Sequence, residues 1–92
     1  MQKIILYTAS VIIYTISNCP YCIKAKALFD RKMVKYQEVN IENDDKLKDQ
    51  VIEKSAGRKT VPQIFINDIH IGGCDDLYAL EKQGKLDNML VE

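Results

Sequence analysis

Residues 11–22 of this 92-residue chain read VIIYTISNCPYC, and this stretch decides how the chain folds. Its first five residues are all β-branched or aromatic, which is typical of a buried strand. Pro20 then favours the first turn of a helix, where the N–H that proline lacks would have had no partner. Cys19 and Cys22 therefore lie where a strand passes into a helix. Their Cys-x-x-Cys spacing indicates either dithiol redox chemistry or metal binding.

The residues before this strand repeat its pattern. Residues 4–10 read IILYTAS and residues 11–17 read VIIYTIS. Only one copy can be the strand that leads into the cysteines, and we assign it to the nearer one, Val11–Thr15. Residues 1–10 are then an N-terminal extension, either an added edge strand or a loose arm, and residues 11–92 form the domain. The apolar run is too short and too polar for a targeting or membrane-spanning helix, so we expect no membrane association.

Composition excludes several classes of protein. With 92 residues and 47% apolar composition, the chain is long enough for one core and too short for a second domain. Thirteen basic and thirteen acidic residues give a net charge of zero, so no long-range field attracts nucleic acid or anionic lipid. Three cysteines are too few, and odd in number, for the disulfide framework of a secreted protein. We therefore expect a reducing compartment, the cytoplasm.

Downstream of the cysteines, the spacing of apolar residues predicts the remaining elements. Helical spacing covers residues 20–32, and a short alternating strand covers residues 36–41. A second helix, a hairpin, a third helix and a last helical segment follow, over residues 45–56, 60–67 with 69–71, 75–84 and 86–90. The second hairpin strand is expected at a sheet edge. This order, β-α-β-α-β-β-α with a final helical turn, predicts an α/β three-layer sandwich with helices on both faces of a small mixed sheet.

The start of the first helix distinguishes the two thiols. Cys19 lies where backbone N–H groups have no partner within the helix, and where the aligned peptide dipoles carry about half a positive charge. That environment stabilises a thiolate, which is the attacking species in disulfide exchange. Cys22 lies one turn further along and is expected to be less exposed. We therefore predict that Cys19 attacks the substrate and that Cys22 resolves the mixed disulfide.

Three blocks of the sequence together resemble the signature blocks of dithiol glutaredoxins: residues 18–22 (NCPYC), 60–66 (TVPQIFI) and 72–77 (GGCDDL). The resemblance extends from about residue 11 to the C-terminus. It implies a thioredoxin-like fold with a four-stranded mixed sheet and a cis peptide bond before Pro62. It also implies a glutathione-disulfide oxidoreductase, or thiol transferase, that reduces protein disulfides and glutathione mixed disulfides. Glutathione is then the electron-donating co-substrate, no cofactor is tightly bound, and the protein is expected to be a monomer.

The resemblance also implies which residues hold glutathione. The cysteinyl part would lie antiparallel to Val61, and a carboxylate would bind the N–H groups that open the third helix. The Asp75 side chain would hold the neighbouring ammonium, and Arg58 or Lys59 would meet the glycine carboxylate. The implied glutathione-binding residues are Tyr21, Thr60, Val61, Pro62, Gly73, Cys74, Asp75 and Asp76.

The chain departs from the glutaredoxin pattern at one position beside the cysteines. A lysine commonly stands three residues before the first cysteine, and Ile16 is found here. We expect weaker glutathione affinity without loss of the reaction. Two lysines of the first helix, Lys24 and Lys26, either form an ordinary solvated face or attract glutathione and acidic partner proteins.

Several alternatives stay open at the level of sequence. Cys74 is either a regulatory thiol or, as we favour, a small residue whose backbone N–H is used. With His70, the three cysteines match a Cys₃His zinc set, but a second Cys-x-x-Cys is missing and no metal is expected. A carrier of a glutathione-ligated [2Fe-2S] cluster, built on Cys19 of two subunits, is the main alternative function, and Pro20 disfavours it. A thioredoxin is disfavoured by residues 72–76, which suit a glutathione carboxylate.

Overall fold

The computed structural model describes residues 7–91, and the predicted order of elements is confirmed within that range. Strands and helices alternate at first, and a hairpin and two helices follow. The elements are β1 (Val11–Thr15), α1 (Pro20–Arg31), β2 (Gln37–Asn40), α2 (Asp45–Lys54), β3 (Gln63–Ile66), β4 (Ile69–Gly72), α3 (Cys74–Lys82) and α4 (Leu86–Leu90).

The predicted boundaries fail most clearly at β3 and α2, each for a local reason. β3 begins at Gln63, later than predicted, because Pro62 has no N–H to donate to a sheet ladder. α2 ends at Lys54, earlier than predicted, since Ala56 (φ 57°) and Gly57 (φ 87°) both adopt left-handed conformations. Gly57, which marks the end of this helix in the sequence, is thus the second of two consecutive residues with a left-handed backbone conformation.

The four strands form one mixed sheet in the order β2-β1-β3-β4. β1 runs parallel to β2 and antiparallel to β3, and β4 pairs antiparallel with β3. β4 therefore lies at a sheet edge, as the sequence predicted. With helices on both faces, the architecture is the expected α/β three-layer sandwich of thioredoxin-like type.

Alternate residues of the central strands face two separate cores. On one face, Ile13 and Ile64 are fully buried together with apolar residues of α1, α3 and α4. On the other face, Tyr14 and Phe65 pack with Val51 of α2, and the two aromatic rings meet edge to face at 5.7 Å. Because both faces are covered, the ends of the strands are held in fixed positions relative to the helices.

Part of the predicted N-terminal extension falls within the described residues. Residues 7–10 form no strand, and the N–H groups of Thr8 and Ala9 both donate to the Leu90 carbonyl, at 3.1 and 3.0 Å. This short segment therefore lies against the end of α4. Residues 1–6, which carry the rest of the prediction, lie outside the described residues. Among the helices within residues 7–91, none combines the length and apolar composition needed to cross a bilayer.

Strand register brings three chain segments to one end of the sheet. Tyr14, near the end of β1, pairs with Gln63 at the start of β3, and Ile64 pairs with Gly72 at the end of β4. The chain leaves β1 through a turn at Asn18, whose φ of 56° is one that asparagine tolerates. The start of α1, the residues before β3 and the start of α3 are consequently neighbours.

Candidate active site

Cys19 is the N-cap residue of α1. Its backbone is extended (φ −110°, ψ 106°), and its Sγ accepts a hydrogen bond from the Cys22 N–H at 3.2 Å. Pro20 occupies the first helical position, as predicted. A sulfur in this position lies at the positive end of the helix dipole and receives an N–H donor. The Cys19 residue is 8% exposed.

Cys22 is shielded from solvent, with 1% of its surface exposed. Burial raises the pKa of its thiol to about 12, and the hydrogen bond to Cys19 and the charge of that neighbour act in the same direction. The side chain is therefore a protonated thiol at neutral pH. The roles in which Cys19 attacks and Cys22 resolves stay a prediction, and the burial of Cys22 suits the second of them.

A groove of about 320 Å³ reaches Tyr21, which stands between the two cysteines in the sequence, while Cys19 and Cys22 are not among its lining residues; we name it the Pro62 groove. The Val61–Pro62 peptide bond in its wall is cis, as the resemblance implied. The residues that line it are Tyr21, Arg58, Thr60, Val61, Pro62, Gly73, Cys74 and Asp75.

All of the residues implied for glutathione, except Asp76, line this groove. Asp76 lies behind it and supports it. Its carboxylate accepts from the Gly73 N–H at 2.9 Å and pairs with Arg58 at 2.8 Å, and these two contacts lower the pKa of Asp76. Asp75, at the position before, is exposed and faces the groove. The two neighbouring aspartates thus have different tasks, one at the surface of the groove and one in its support.

The paired glycines let α3 begin close to the cis proline. Gly72 has a φ of 118°, and a Cβ at that position would overlap with the Asp76 carboxylate. A Cβ on Gly73 would lie 3.3 Å from the carbonyl oxygen of Pro62. The Gly73 N–H is taken by Asp76, and the next two residues of α3, Cys74 and Asp75, line the groove. The unpaired N–H groups at the start of a helix are of the kind that can bind a carboxylate.

Gln63 is a supporting residue that sequence reasoning missed. Its side chain is fully buried, and its Nε2 donates to the carbonyl (3.0 Å) and the hydroxyl (3.2 Å) of Thr60 in the groove. Its Oε1 lies 2.7 Å from Nε2 of His70 on the edge strand. Burial and the charge of Arg58 lower the pKa of His70, which favours the neutral ring. A polar residue in the middle of a β-branched run, directly after Pro62, was the signal that could have found it.

Lys24 and Lys26 do not line the Pro62 groove, and Cys74 is buried in its wall. The Lys26 ammonium pairs with Glu38 at 3.0 Å, and that of Lys24 lies 4.9 Å from the centre of the Tyr78 ring. Cys74 is 4% exposed, and burial raises the pKa of its thiol. Within residues 7–91, no three His, Cys, Asp or Glu side chains are grouped so that they could hold a metal ion.

Ile16 and Lys59 line a second groove, of about 260 Å³, that adjoins the first. Arg58, Thr60 and Val61 belong to both grooves. Of the two cations considered for the glycine carboxylate, Arg58 therefore reaches the Pro62 groove and Lys59 lies at its neighbour.

Comparison with known proteins gives one consistent result. The glutaredoxin family model matches residues 11–71. Glutaredoxin 1 of Rickettsia prowazekii is 56% identical over 91 residues, which cover 98% of this chain and 94% of that protein. The solution structure of a glutaredoxin from Brucella melitensis has a TM-score of 0.81 and 50% identity, over 91% of this chain and 90% of that one. The crystal structure of a buckwheat glutaredoxin–glutathione complex has a TM-score of 0.82 and 29% identity, over 94% of this chain and 80% of that one.

The matched region includes Cys19, Cys22 and the cis proline, and the solved Brucella melitensis glutaredoxin shares the fold that carries them. The chain belongs to the glutaredoxin family.

Proposed function

We propose that this glutaredoxin, a glutathione-dependent thiol–disulfide oxidoreductase, works with Cys19 as its nucleophile and Cys22 as its resolving thiol. One observation carries the assignment. The Cys19 Sγ accepts an N–H donor at the start of α1, whereas the Cys22 thiol is buried and its pKa is raised to about 12. A thiolate attacks a disulfide and a protonated thiol does not, so the two cysteines act in that order.

The Pro62 groove supports a placement for glutathione. The cysteinyl part would lie along the main chain of Val61, which places its sulfur toward Cys19. The α-carboxylate of the γ-glutamyl group would meet the first N–H groups of α3, beside Asp75, whose carboxylate suits the ammonium. Arg58 or Lys59 would meet the glycine carboxylate. The similar buckwheat protein, whose structure is a complex with glutathione, is consistent with this use of the fold.

The reaction runs as two successive exchanges at Cys19. The Cys19 thiolate attacks one sulfur of a glutathione mixed disulfide; the old S–S bond breaks, a new one forms between Cys19 and glutathione, and the substrate leaves as a thiolate that takes up a proton. A second glutathione then attacks the glutathione sulfur, which releases oxidised glutathione and regenerates Cys19. With a protein disulfide, Cys22 closes on Cys19 instead, and two glutathione molecules reduce the resulting bond.

The remaining details of the function are part of the same proposal. We expect protein disulfides and glutathionylated proteins as substrates, since an open groove beside a thiolate accepts an extended segment. Glutathione is a co-substrate that enters and leaves, and no resident cofactor takes part. We propose that the protein acts as a monomer in the cytoplasm, where glutathione keeps thiols reduced.

Cysteine-to-serine substitutions test the two roles. Cys19→Ser should abolish turnover of a small glutathione mixed disulfide, because it removes the nucleophile. Cys22→Ser should retain that turnover and lose the reduction of a protein disulfide, since only the second reaction uses the resolving thiol. Both activities are measured as glutathione-dependent turnover coupled to glutathione reductase. If Cys22→Ser alone abolished turnover of the mixed disulfide, the assignment of the two roles would be wrong.

A further inference from the structure

The buried thiol of Cys22 has to lose a proton before it can attack a mixed disulfide. The residue is 1% exposed, and burial is the largest of the effects that raise its pKa to about 12. At neutral pH only a small fraction of such a thiol is ionised. A group that favours the Cys22 thiolate would therefore speed the resolving step and leave the first attack by Cys19 unchanged.

Lys26 lies on the same side of α1 as Cys22. It follows Cys22 by four residues, and side chains at that spacing are neighbours on a helix surface. A backbone hydrogen bond with Ile16 and the positive charge of Lys26 both lower the pKa of Cys22, against the effects of burial and Cys19. The lysine is thus placed so that its charge acts on the resolving thiol.

The Lys26 ammonium is held by a carboxylate that is itself anchored. Its Nζ donates to both carboxylate oxygens of Glu38, at 3.2 and 3.0 Å. One of these oxygens also accepts from the Thr15 hydroxyl at 2.8 Å, and Thr15 is fully buried at the end of β1. This chain of contacts fixes a cation that would otherwise move freely on its flexible stem.

The same contacts keep both members of the pair charged. Hydrogen bonds from Thr15 and Lys26 lower the pKa of Glu38, and the hydrogen bond to Glu38 raises the pKa of Lys26. Tyr36 also faces Lys26, and burial raises the pKa of its phenol, so it is neutral at pH 7. The Lys26 side chain is 25% exposed, so solvent screens its charge only in part.

We propose that Lys26 is a positioning residue for the resolving step, in which it holds a fixed positive charge near Cys22 while this thiol attacks the mixed disulfide. The inference rests on the proposed function, because it takes Cys22 as the resolving thiol. In this step the Cys22 thiol releases its proton to water, and its thiolate attacks the Cys19 sulfur. The bond between Cys19 and the substrate breaks, and the substrate leaves as a thiolate that takes up a proton. Lys26 keeps its own proton throughout.

An aromatic disulfide reports the two steps separately. One equivalent of dithiobis(nitrobenzoate) is mixed with the reduced protein in a stopped-flow instrument. Attack by Cys19 releases the first half of the reagent as a coloured thiolate, and closure of Cys22 on Cys19 releases the second half. The second release does not depend on concentration, since both sulfurs then belong to one molecule.

Lys26→Met keeps the apolar stem of the side chain and removes its charge. A close opposite charge shifts a pKa by about one unit at the low end of its range, so the variant loses about tenfold of the Cys22 thiolate. A more basic thiolate is a better nucleophile and recovers about threefold of that loss. We therefore expect the second release to slow about threefold at pH 7, while the first keeps the rate of the parent protein.

Two further variants separate a placed charge from a general effect. Lys24→Met is the matched control, because Lys24 is an exposed lysine of the same helix that follows Cys22 by two residues and so faces elsewhere. It should leave both releases unchanged. Lys26→Arg keeps the charge and can pair with Glu38, so it should restore most of the rate of the second release.

A titration gives a readout that a purely structural role would not change. In a Cys19→Ser background, which removes the neighbouring thiolate, the Cβ chemical shift of Cys22 is followed by NMR against pH. Lys26→Met should raise the pKa of Cys22 by about one unit, and Lys24→Met should leave it unchanged.

Each possible result supports or overturns the inference. If the parent protein showed both releases and Lys26→Met left the second unchanged, Lys26 would have no such role while the proposed function stood. Equal slowing of both releases, or equal effects of Lys24→Met and Lys26→Met, would likewise overturn it. A parent protein without a second release would contradict the resolving role of Cys22 itself.

Discussion

Replacement of Gln63 by leucine is the perturbation whose cost the structure defines best. Gln63→Leu introduces an apolar side chain of similar size and removes the amide. The Thr60 carbonyl and hydroxyl then lose their donor, and the His70 ring N–H loses its acceptor. Because Thr60 is exposed and His70 is half-buried, water replaces part of the lost bonding, and each loss costs about 1 kcal/mol, the lower end of the range for an unsatisfied group. The added apolar burial offsets about 1 kcal/mol, so the free energy of unfolding should fall by about 2 kcal/mol.

Thermal and urea unfolding, followed by circular dichroism, measure this cost. For a domain of this size, a loss of about 2 kcal/mol lowers Tm by roughly 8–16 °C. Activity offers an independent readout, because Thr60 lines the Pro62 groove. We expect KM for glutathione to rise several-fold when the main chain of Thr60 is no longer held by Gln63.

A double-mutant cycle with His70 isolates the bond between the two side chains. His70→Phe alone leaves the Gln63 Oε1 without its partner in a fully buried position. The double variant Gln63→Leu/His70→Phe removes both partners, so it should cost about 1–2 kcal/mol less than the two single losses added together. Additive losses, or a Gln63→Leu variant within 0.5 kcal/mol of the parent protein, would refute the reasoning.

Further predictions follow from the same structure. The pKa of His70 is lowered on folding, so the unfolded chain binds more protons near pH 6.5 than the folded protein does. The free energy of unfolding should therefore fall as the pH drops through that value. Urea titrations at pH 7.5 and 5.5 measure this fall, which should be smaller in His70→Phe. Gly72→Ala forces a Cβ into the Asp76 carboxylate at a φ of 118°, and should lower Tm and weaken glutathione binding in calorimetry. Lys32→Met removes the ammonium that lies 2.8 Å from the Glu81 carboxylate and 2.7 Å from the Asp87 carboxylate. The free energy of unfolding, measured in urea, should fall by about 1 kcal/mol, and by less at high salt. Iodoacetamide at pH 7 should leave Cys22 unmodified in mass spectra of the folded protein, because its pKa is raised to about 12.

The order of the elements could be predicted because each carries a local pattern. Val11–Thr15 was assigned with its observed bounds, since five β-branched or aromatic residues end at a polar turn. The start of α1 followed from proline at its first position. The three sequence blocks that resemble those of glutaredoxins contain every residue that lines the Pro62 groove except Arg58, and the fold brings these blocks together. Local chemistry thus decides which elements form, and a specific set of motifs indicates where they meet.

The supporting contacts could not be predicted, because they depend on partners far away in the sequence. The Gln63–His70 pair exists because β3 and β4 pair as a hairpin with an irregular register, which no local pattern specifies. Asp75 and Asp76 look alike as neighbours in a sequence. Only Asp76 falls at the third helical position, from which a carboxylate reaches back to the N-cap N–H. A shift of one position along the helix therefore separates a residue that lines the groove from a residue that caps the helix.

The position of Cys22 also explains how one active site could serve two routes. While Cys19 is a thiolate, its hydrogen bond and its charge both add to the effect of burial in raising the pKa of Cys22. On the proposed mechanism, that charge is gone once Cys19 is part of a mixed disulfide, and the pKa of Cys22 would then be raised less, at the step that uses this thiol. Burial still opposes its ionisation, which gives an external glutathione thiolate the advantage whenever the groove is open to it. On the proposed mechanism, a protein segment that fills the Pro62 groove would exclude glutathione, and resolution would then fall to Cys22. The occupant of the groove and the change at Cys22 would together select between the two routes.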